Sequence, residues 1–437
     1  MTPLSSRVTS DSPAAPAVAS RPDAATEPAL KFPSNFLWGV ATAPTQVEGH
    51  LENEWTDFTA PDGSNCRVAC DNYHRYPEDI EWMAKLGVKA YRMGIEWSRL
   101  QSEPYGPLNQ KELARYCDLL DRLKAADITP MVVLHHFSNP HWLSAIGGWR
   151  TRKVVPIFVD YASKLVIALR DRVRIWNTFN EPDTYASCTY MLGEFPPHKK
   201  GRFLTFRKVI RHMATAHQQI CQIIRKQSSP LGPVEAGFTK NWTFFEAYPP
   251  ATPWDRCVAA ISDQLFNHFV MDSFLGNGHH AASTYLGLNY YGRVRFNHFR
   301  PLVPARGFSH ETLRKMGVIC DDMFERHPPG MEIVLLDAYR KYRLPIYVTE
   351  HGSASTDEAF RARDLRDNLA SLHRSIAMGA DVRGFFYWSL LDNFEWQFGY
   401  TKKFGLISVD FADPKLPRKM KPLGEIYRRI CESNELS

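Results

Sequence analysis

The run ITPMVVLHH, residues 128–136, carries Met131, Val132, Val133 and Leu134 in succession with no polar residue between them. A strand with one solvated face alternates apolar and polar residues. An uninterrupted run suits a strand buried on both faces, as in parallel sheets. Upstream, Leu113, Tyr116, Leu120 and Leu123 fall at i, i+3, i+7 and i+10, which is one face of a helix. Seven further runs resemble the first: 36–42, 88–95, 173–179, 234–242, 284–291, 345–350 and 382–390. Helical patterns lie between them, as at Leu365, Leu369, Leu372 and Ile376. Pro77 followed by Glu78 and Asp79 reads as a helix start, and Gly87 as its stop. Eight strand–helix units predict an α/β protein, a single (β/α)8 barrel with long βα loops. A doubly wound open sheet is the rival, but no GxGxxG follows the first strand.

The 437 residues are 44% hydrophobic, 23% charged and 13% aromatic, the composition of a globular protein. No run approaches the roughly 20 apolar residues of a membrane span. The net charge of +6 comes from interleaved residues, so neither nucleic acid nor an anionic membrane is an expected partner. Of eight cysteines only Cys66 and Cys70 are close, without a matching His pair. Buried thiols in a reducing compartment are expected, with no metal. Residues 1–30 contain seventeen Ala, Pro or Ser and no aromatic residue. They read as a disordered tail ahead of one catalytic domain at 31–437. The tail has no apolar stretch of a signal peptide's length, so a cytoplasmic location is expected.

Barrel active sites lie at the carboxyl ends of the strands. Those ends bring Gln46 and Glu48; Arg92, Glu96 and Trp97; His135 and His136; Asn180 and Glu181; Asn289, Tyr290 and Tyr291; Glu350 and His351; and Trp388, Asp392, Asn393, Glu395 and Trp396. Two carboxylates stand out. Glu181 closes the fourth run and Glu350 the seventh, so both are expected in one cavity. Glycoside hydrolysis needs such a pair, one to protonate the leaving oxygen and one to attack the anomeric carbon or activate water. Adjacent strand residues point to opposite faces, which makes His135 and His136 poor co-ligands for a metal.

Four segments carry a resemblance in family order. WNTFNEP (176–182) looks like the acid/base motif of glycoside hydrolase family one, the β-glucosidase family, and IYVTEHG (346–352) looks like its nucleophile motif. FLWGVATAPTQVEG (36–49) resembles the family's amino-terminal signature, and WSLLDNFEWQFGYTKKFG (388–405) its sugar-binding stretch. The resemblance implies a retaining exo-β-glycosidase that uses no cofactor and acts on a small-molecule β-glucoside, with tolerance for β-galactosides or β-fucosides. Glu350 would be the nucleophile and Glu181 the acid/base. Arg92, Tyr291 and Asn289 would support the nucleophile. Gln46, His136, Asn180, Glu395 and Trp396 would bind sugar hydroxyls. Trp388 would form the floor, and Phe404 would pack near the 6-position.

The physics of such a pair predicts that Arg92 lowers the pKa of Glu350, and that burial with the Glu350 charge raises that of Glu181. Three departures bear on substrate preference: His351 where Asn is usual, Phe137-Ser138-Asn139-Pro140 for Trp-Asp-x-Pro, and Glu96 where Ser is frequent. The 137–139 segment and His351 keep open a transglycosylase that moves sugar to an alcohol or glycolipid. A catalytically silent sugar-binding barrel is the third reading.

Overall fold

Eight parallel strands close a barrel in the computed structural model, which describes residues 29–227, 229–276, 283–304 and 307–437. The strands are β1 Leu37–Ala41, β2 Ala90–Gly94, β3 Thr129–Val133, β4 Ile175–Asn180, β5 Glu235–Asn241, β6 Leu286–Asn289, β7 Ile346–His351 and β8 Val382–Trp388. They follow one another around the barrel in chain order, with β8 paired to β1. Each falls within or one residue beyond its sequence run. Met131, Val132 and Val133 of β3 are fully buried, as their unbroken apolar run requires.

A helix follows each strand: α1 Asn72–Lys85, α2 Gln110–Ala125, α3 Val154–Leu169, α4 Phe203–Lys226, α5 Phe269–Leu275, α6 Pro328–Tyr342, α7 Glu358–Ala377 and α8 Pro422–Ser433. The expected helix start at Pro77 is wrong. Helix α1 begins at Asn72 and Pro77 lies inside it. A proline there deprives the carbonyl four residues back, that of Tyr73, of its helical donor. Arg115 of α2 supplies a replacement, its Nε donating to the Tyr73 carbonyl at 3.0 Å. The stop at Gly87 stands. Its φ of +69° is a left-handed turn. Its N–H reaches the Ala84 carbonyl at 3.0 Å and that of Val88 reaches the Met83 carbonyl at 3.4 Å.

Residues 1–28, most of the expected tail, lie outside the described residues, as do His279 and His280. Leu30, placed in that tail by the sequence reading, instead pairs antiparallel with Leu436. No disulfide forms among the described residues. No described helix is long and apolar enough to cross a membrane.

Two loops shape the space above the barrel. A small sheet of Phe244–Ala247, Arg293–Asn297 and Arg300–Pro301 rises from the ends of β5 and β6. π-Helical turns at Ser187–Met191 and Asp263–His268 precede α4 and α5. Such turns recur at functional sites.

Candidate active site

A cavity of about 550 Å³ opens at the carboxyl end of the barrel. Glu181 and Glu350 both line it, together with His136, Asn180, Tyr291, Trp388, Glu395, Trp396 and Phe404. Arg92, Asn289 and Gln46 stand behind that wall, and each holds a carboxylate that does line it.

Glu350 is 3% exposed. Its Oε1 accepts from Arg92 at 2.5 Å and its Oε2 from the Tyr291 hydroxyl at 2.7 Å. Arg92 is fully buried inside β2 and turns its second nitrogen to Asn180 Oδ1 at 2.6 Å. One guanidinium thus ties the end of β7 to the end of β4. Burial pushes the Glu350 carboxyl above its ordinary value, while Arg92 and then Tyr291 pull it down. The sequence expectation had Arg92 alone setting the direction. It opposes desolvation without outweighing it.

Glu181 follows β4 with a left-handed φ of +38°. Its N–H is held by the Thr239 carbonyl at 2.9 Å. A non-glycine residue in that region is costly, and such residues collect at functional sites. Phe137 and Trp396, also on the cavity wall, share it at φ of +66° and +48°. Glu181 Oε1 accepts from Asn289 Nδ2 at 2.6 Å. Asn289 was expected to serve Glu350. It stands between the two carboxyls, and its closest hydrogen bond is to Glu181, while it also helps hold Glu350 down. Burial, the Glu350 charge and the Asp183 charge push Glu181 up to about 8.

At the other end, Gln46 Nε2 donates to Glu395 Oε2 and to Asn393 Oδ1, both at 2.9 Å. Burial raises Glu395 to about 8. Asn180 Nδ2 donates to His136 Nε2 at 2.9 Å. That assignment leaves the proton of this neutral imidazole on Nδ1. His136 Nδ1 and Gln46 Oε1 are buried and make no hydrogen bond within the protein. Two unsatisfied polar atoms beside an aromatic floor suit the hydroxyls of a sugar. The rings of Trp388 and Trp396 lie 5.9 and 6.1 Å from that of His136.

Sequence reasoning passed over the end of β5. Thr239 accepts from Asn177 at 2.6 Å and from Arg92 at 3.2 Å, and Asn241 Nδ2 reaches Glu181 Oε2 at 3.4 Å. Beside them Lys240 pairs with Asp183 at 2.9 Å, both fully buried. The signal was available, since Thr239–Asn241 close the fifth run as Glu181 follows the fourth.

The departures are not scattered. Ser138 Oγ donates to Glu96 Oε2 at 2.7 Å, so two of them form one contact. His351 does not line the cavity; its Nδ1 donates to the Tyr290 carbonyl at 2.7 Å. His135 and His136 diverge, His135 bonding Asn139 at 3.2 Å. Only His50, Asp71 and His74 gather three potential metal ligands among the described residues. They lie outside the cavity lining, and Asp71 already engages a ring nitrogen of each histidine.

The family model described as glycosyl hydrolase family 1 matches residues 29–285 and 280–436. A curated relative, β-glucosidase A of Thermotoga maritima, is 32% identical across 93% of this chain and 99% of its own. A 1,4-β-D-glucan glucohydrolase of Thermotoga neapolitana is also 32% identical, with the same coverage. The solved family 1 β-glucosidase of Thermotoga maritima superposes with a TM-score of 0.82 at 28% identity, covering 93% of this chain and all of that one.

Proposed function

Since the chain belongs to glycosyl hydrolase family 1, a family of retaining glycosidases, we propose that it removes terminal β-D-glucosyl residues from a small-molecule glycoside through Glu350 and Glu181. Arg92 carries the reading. Its guanidinium holds one carboxylate of the cavity, while the other is left to burial and repulsion. The first suits a nucleophile and the second an acid.

In the first step a Glu350 oxygen attacks the anomeric carbon as the glycosidic C–O bond breaks. Glu181 gives its proton to the departing oxygen, and the aglycone leaves as an alcohol. The glycosyl ester on Glu350 no longer carries the charge that raised Glu181, so Glu181 becomes a better base. It then takes a proton from water, which attacks the same carbon, and Glu350 leaves with net retention. Asn180, His136, Glu395, Gln46 and Trp396 would read the hydroxyl edge, Trp388 the apolar face, and Phe404 the 6-position. β-Galactosyl and β-fucosyl groups are the variants to compare. Hydrolysis is favoured over transfer to an acceptor by the curated relatives above, and a silent barrel is not favoured with both carboxyls in place.

An aryl β-glucoside tests the assignment. Glu350→Gln is expected to lose at least ~10³-fold in kcat, and Glu181→Gln about 10²–10⁴-fold with an unactivated leaving group. Proton NMR of the first product should show the β-anomer. Activity of Glu350→Gln within tenfold of the parent, or an α-anomer, would reject the roles.

A further inference from the structure

The cavity changes character beyond Glu181. Its outer wall is built by three elements remote in sequence. Phe203 and Phe206 come from α4, Leu265 from the π-helical turn before α5, and Phe245, Phe296 and Val303 from the small sheet and the chain following it. The rings interlock, with Phe245 stacked 6.1 Å from Phe296 and set edge-on 5.7 Å from Phe266. Phe206 is 3% exposed and Phe296 8%, so they are fixed wall rather than loose surface.

Several polar side chains in this part are already engaged. Thr184 accepts from Asn241, Thr243 donates to Asn241, and Gln397 donates to Glu194. A second pyranose would bring several hydroxyls to a wall with few open partners, and burying them there is unfavourable. No Lys or Arg lines the cavity among the described residues, so an anionic aglycone finds no counter-charge. A single hexose fills only part of a volume that lies in the range, about 300–1,000 Å³, of pockets enclosing drug-sized ligands. Two exposed aromatic rings stand on elements that also reach the cavity. Trp254 is 67% exposed and Phe299 57%, their rings 6.5 Å apart. They belong to the helix Pro253–Ser262 and the turn before Arg300–Pro301, whose Ser262 and Pro301 line the cavity.

We propose that the aglycone is a long, uncharged aliphatic alcohol, so that the substrate is a neutral lipid-like β-glucoside rather than an oligosaccharide. The inference rests on the glucosidase reading, because the chain must leave the sugar at the carbon Glu350 attacks. Bound this way, the sugar lies between Trp388 and Glu395, the scissile oxygen meets Glu181, and the hydrocarbon runs out along Phe206, Leu265 and Phe296.

The test is a series of n-alkyl β-glucosides from methyl to octyl, each below its micellar concentration, beside cellobiose and an aryl β-glucoside. Burial of each methylene is expected to raise kcat/KM about threefold over at least the first four carbons added. Octyl glucoside should exceed cellobiose by about 10²-fold or more. Leu265→Gln should flatten the chain-length slope, with its melting temperature reading the fold separately. A flat alkyl series, or cellobiose as the better substrate, would overturn the lipid assignment while aryl glucoside turnover leaves the glucosidase standing. Failure to cleave any β-glucoside would overturn both.

Discussion

Tyr291 donates its hydroxyl to Glu350 at 2.7 Å, on the side opposite Arg92. That bond favours the ionised carboxylate and is one of the contacts pulling Glu350 down against burial. Removing it leaves Glu350 harder to ionise, so the acid limb of the pH profile should move to higher pH in Tyr291→Phe. On the proposed roles the alkaline limb belongs to Glu181, which would have to stay protonated and sits at about 8, so it should hardly move. A hydrogen bond to a charged group is worth about 1.5–3 kcal/mol, which predicts a loss of roughly 10–150-fold in kcat/KM at neutral pH. A pH–rate profile on an aryl glucoside checks both. An acid limb unmoved, or moved down, would show that Tyr291 does not act through the Glu350 proton.

The elements hold these residues to tolerances that can be probed without touching a catalytic group. On β6, a Cβ added to Gly287 would meet Thr239 Oγ1 at 2.5 Å. Thr239 bonds Arg92, Asn177 and Thr349, so the displacement passes directly into the site. On β1, a Cβ on Gly39 would meet the Phe386 ring, also at 2.5 Å, and push on core packing instead. Both Gly→Ala variants should lose about 1–3 kcal/mol of stability. Only Gly287→Ala should lose about tenfold or more in kcat/KM, since small misplacements of reacting groups are costly. Equal kinetic losses in the two would refute the distinction.

The same contrast shows what could be read in advance. The eight strands were legible because burial on both faces writes itself as consecutive apolar residues, as in Met131–Val133. That Glu181 and Glu350 meet in one cavity was legible because each follows a run ending at the same side of a barrel. The interior position of Pro77 was not, because its rescuer, Arg115, is 38 positions away and acts through side-chain geometry. Nor was the Ser138–Glu96 contact, which joins two loops. The apolar outer wall was equally hidden. Phe206, Leu265 and Phe296 converge only when a helix, a π-helical turn and a sheet outside the barrel are placed together.

On the scale of the whole molecule, the strand ends and the loops that follow them carry acids that desolvation makes reluctant to ionise. Glu54, Glu181 and Glu395 are each raised to about 8, and Asp321 to about 7. In the unfolded chain such groups ionise near pH 4, so above that pH the folded state binds protons the unfolded state has lost. Stability from these groups therefore falls as pH rises, until the folded values are passed. Buried histidines work the other way. His135 and His327 are lowered to about 4 and His217 to about 3, so their contribution grows with pH until about 6.5, where the unfolded imidazole loses its charge. Between pH 6.5 and 8 the acids dominate, because the unfolded imidazoles, half charged at 6.5, add back only about 0.4 kcal/mol each. Each of the three highest contributes up to ~1–2 kcal/mol over that interval. A combined loss of ~3–5 kcal/mol on about 400 ordered residues corresponds to a Tm lower by ~4–6 °C at pH 8 than at pH 6.5. Scanning calorimetry at matched ionic strength measures it. Glu395→Gln, which cannot ionise, should remove about a third of the slope. A Tm that is flat or rising across the interval would mean that these carboxyls find relief the packed interior does not offer. On the proposed roles the fall should coincide with the alkaline limb of activity because Glu181 contributes to both: the proton it would hold to act as an acid is one the folded chain also holds.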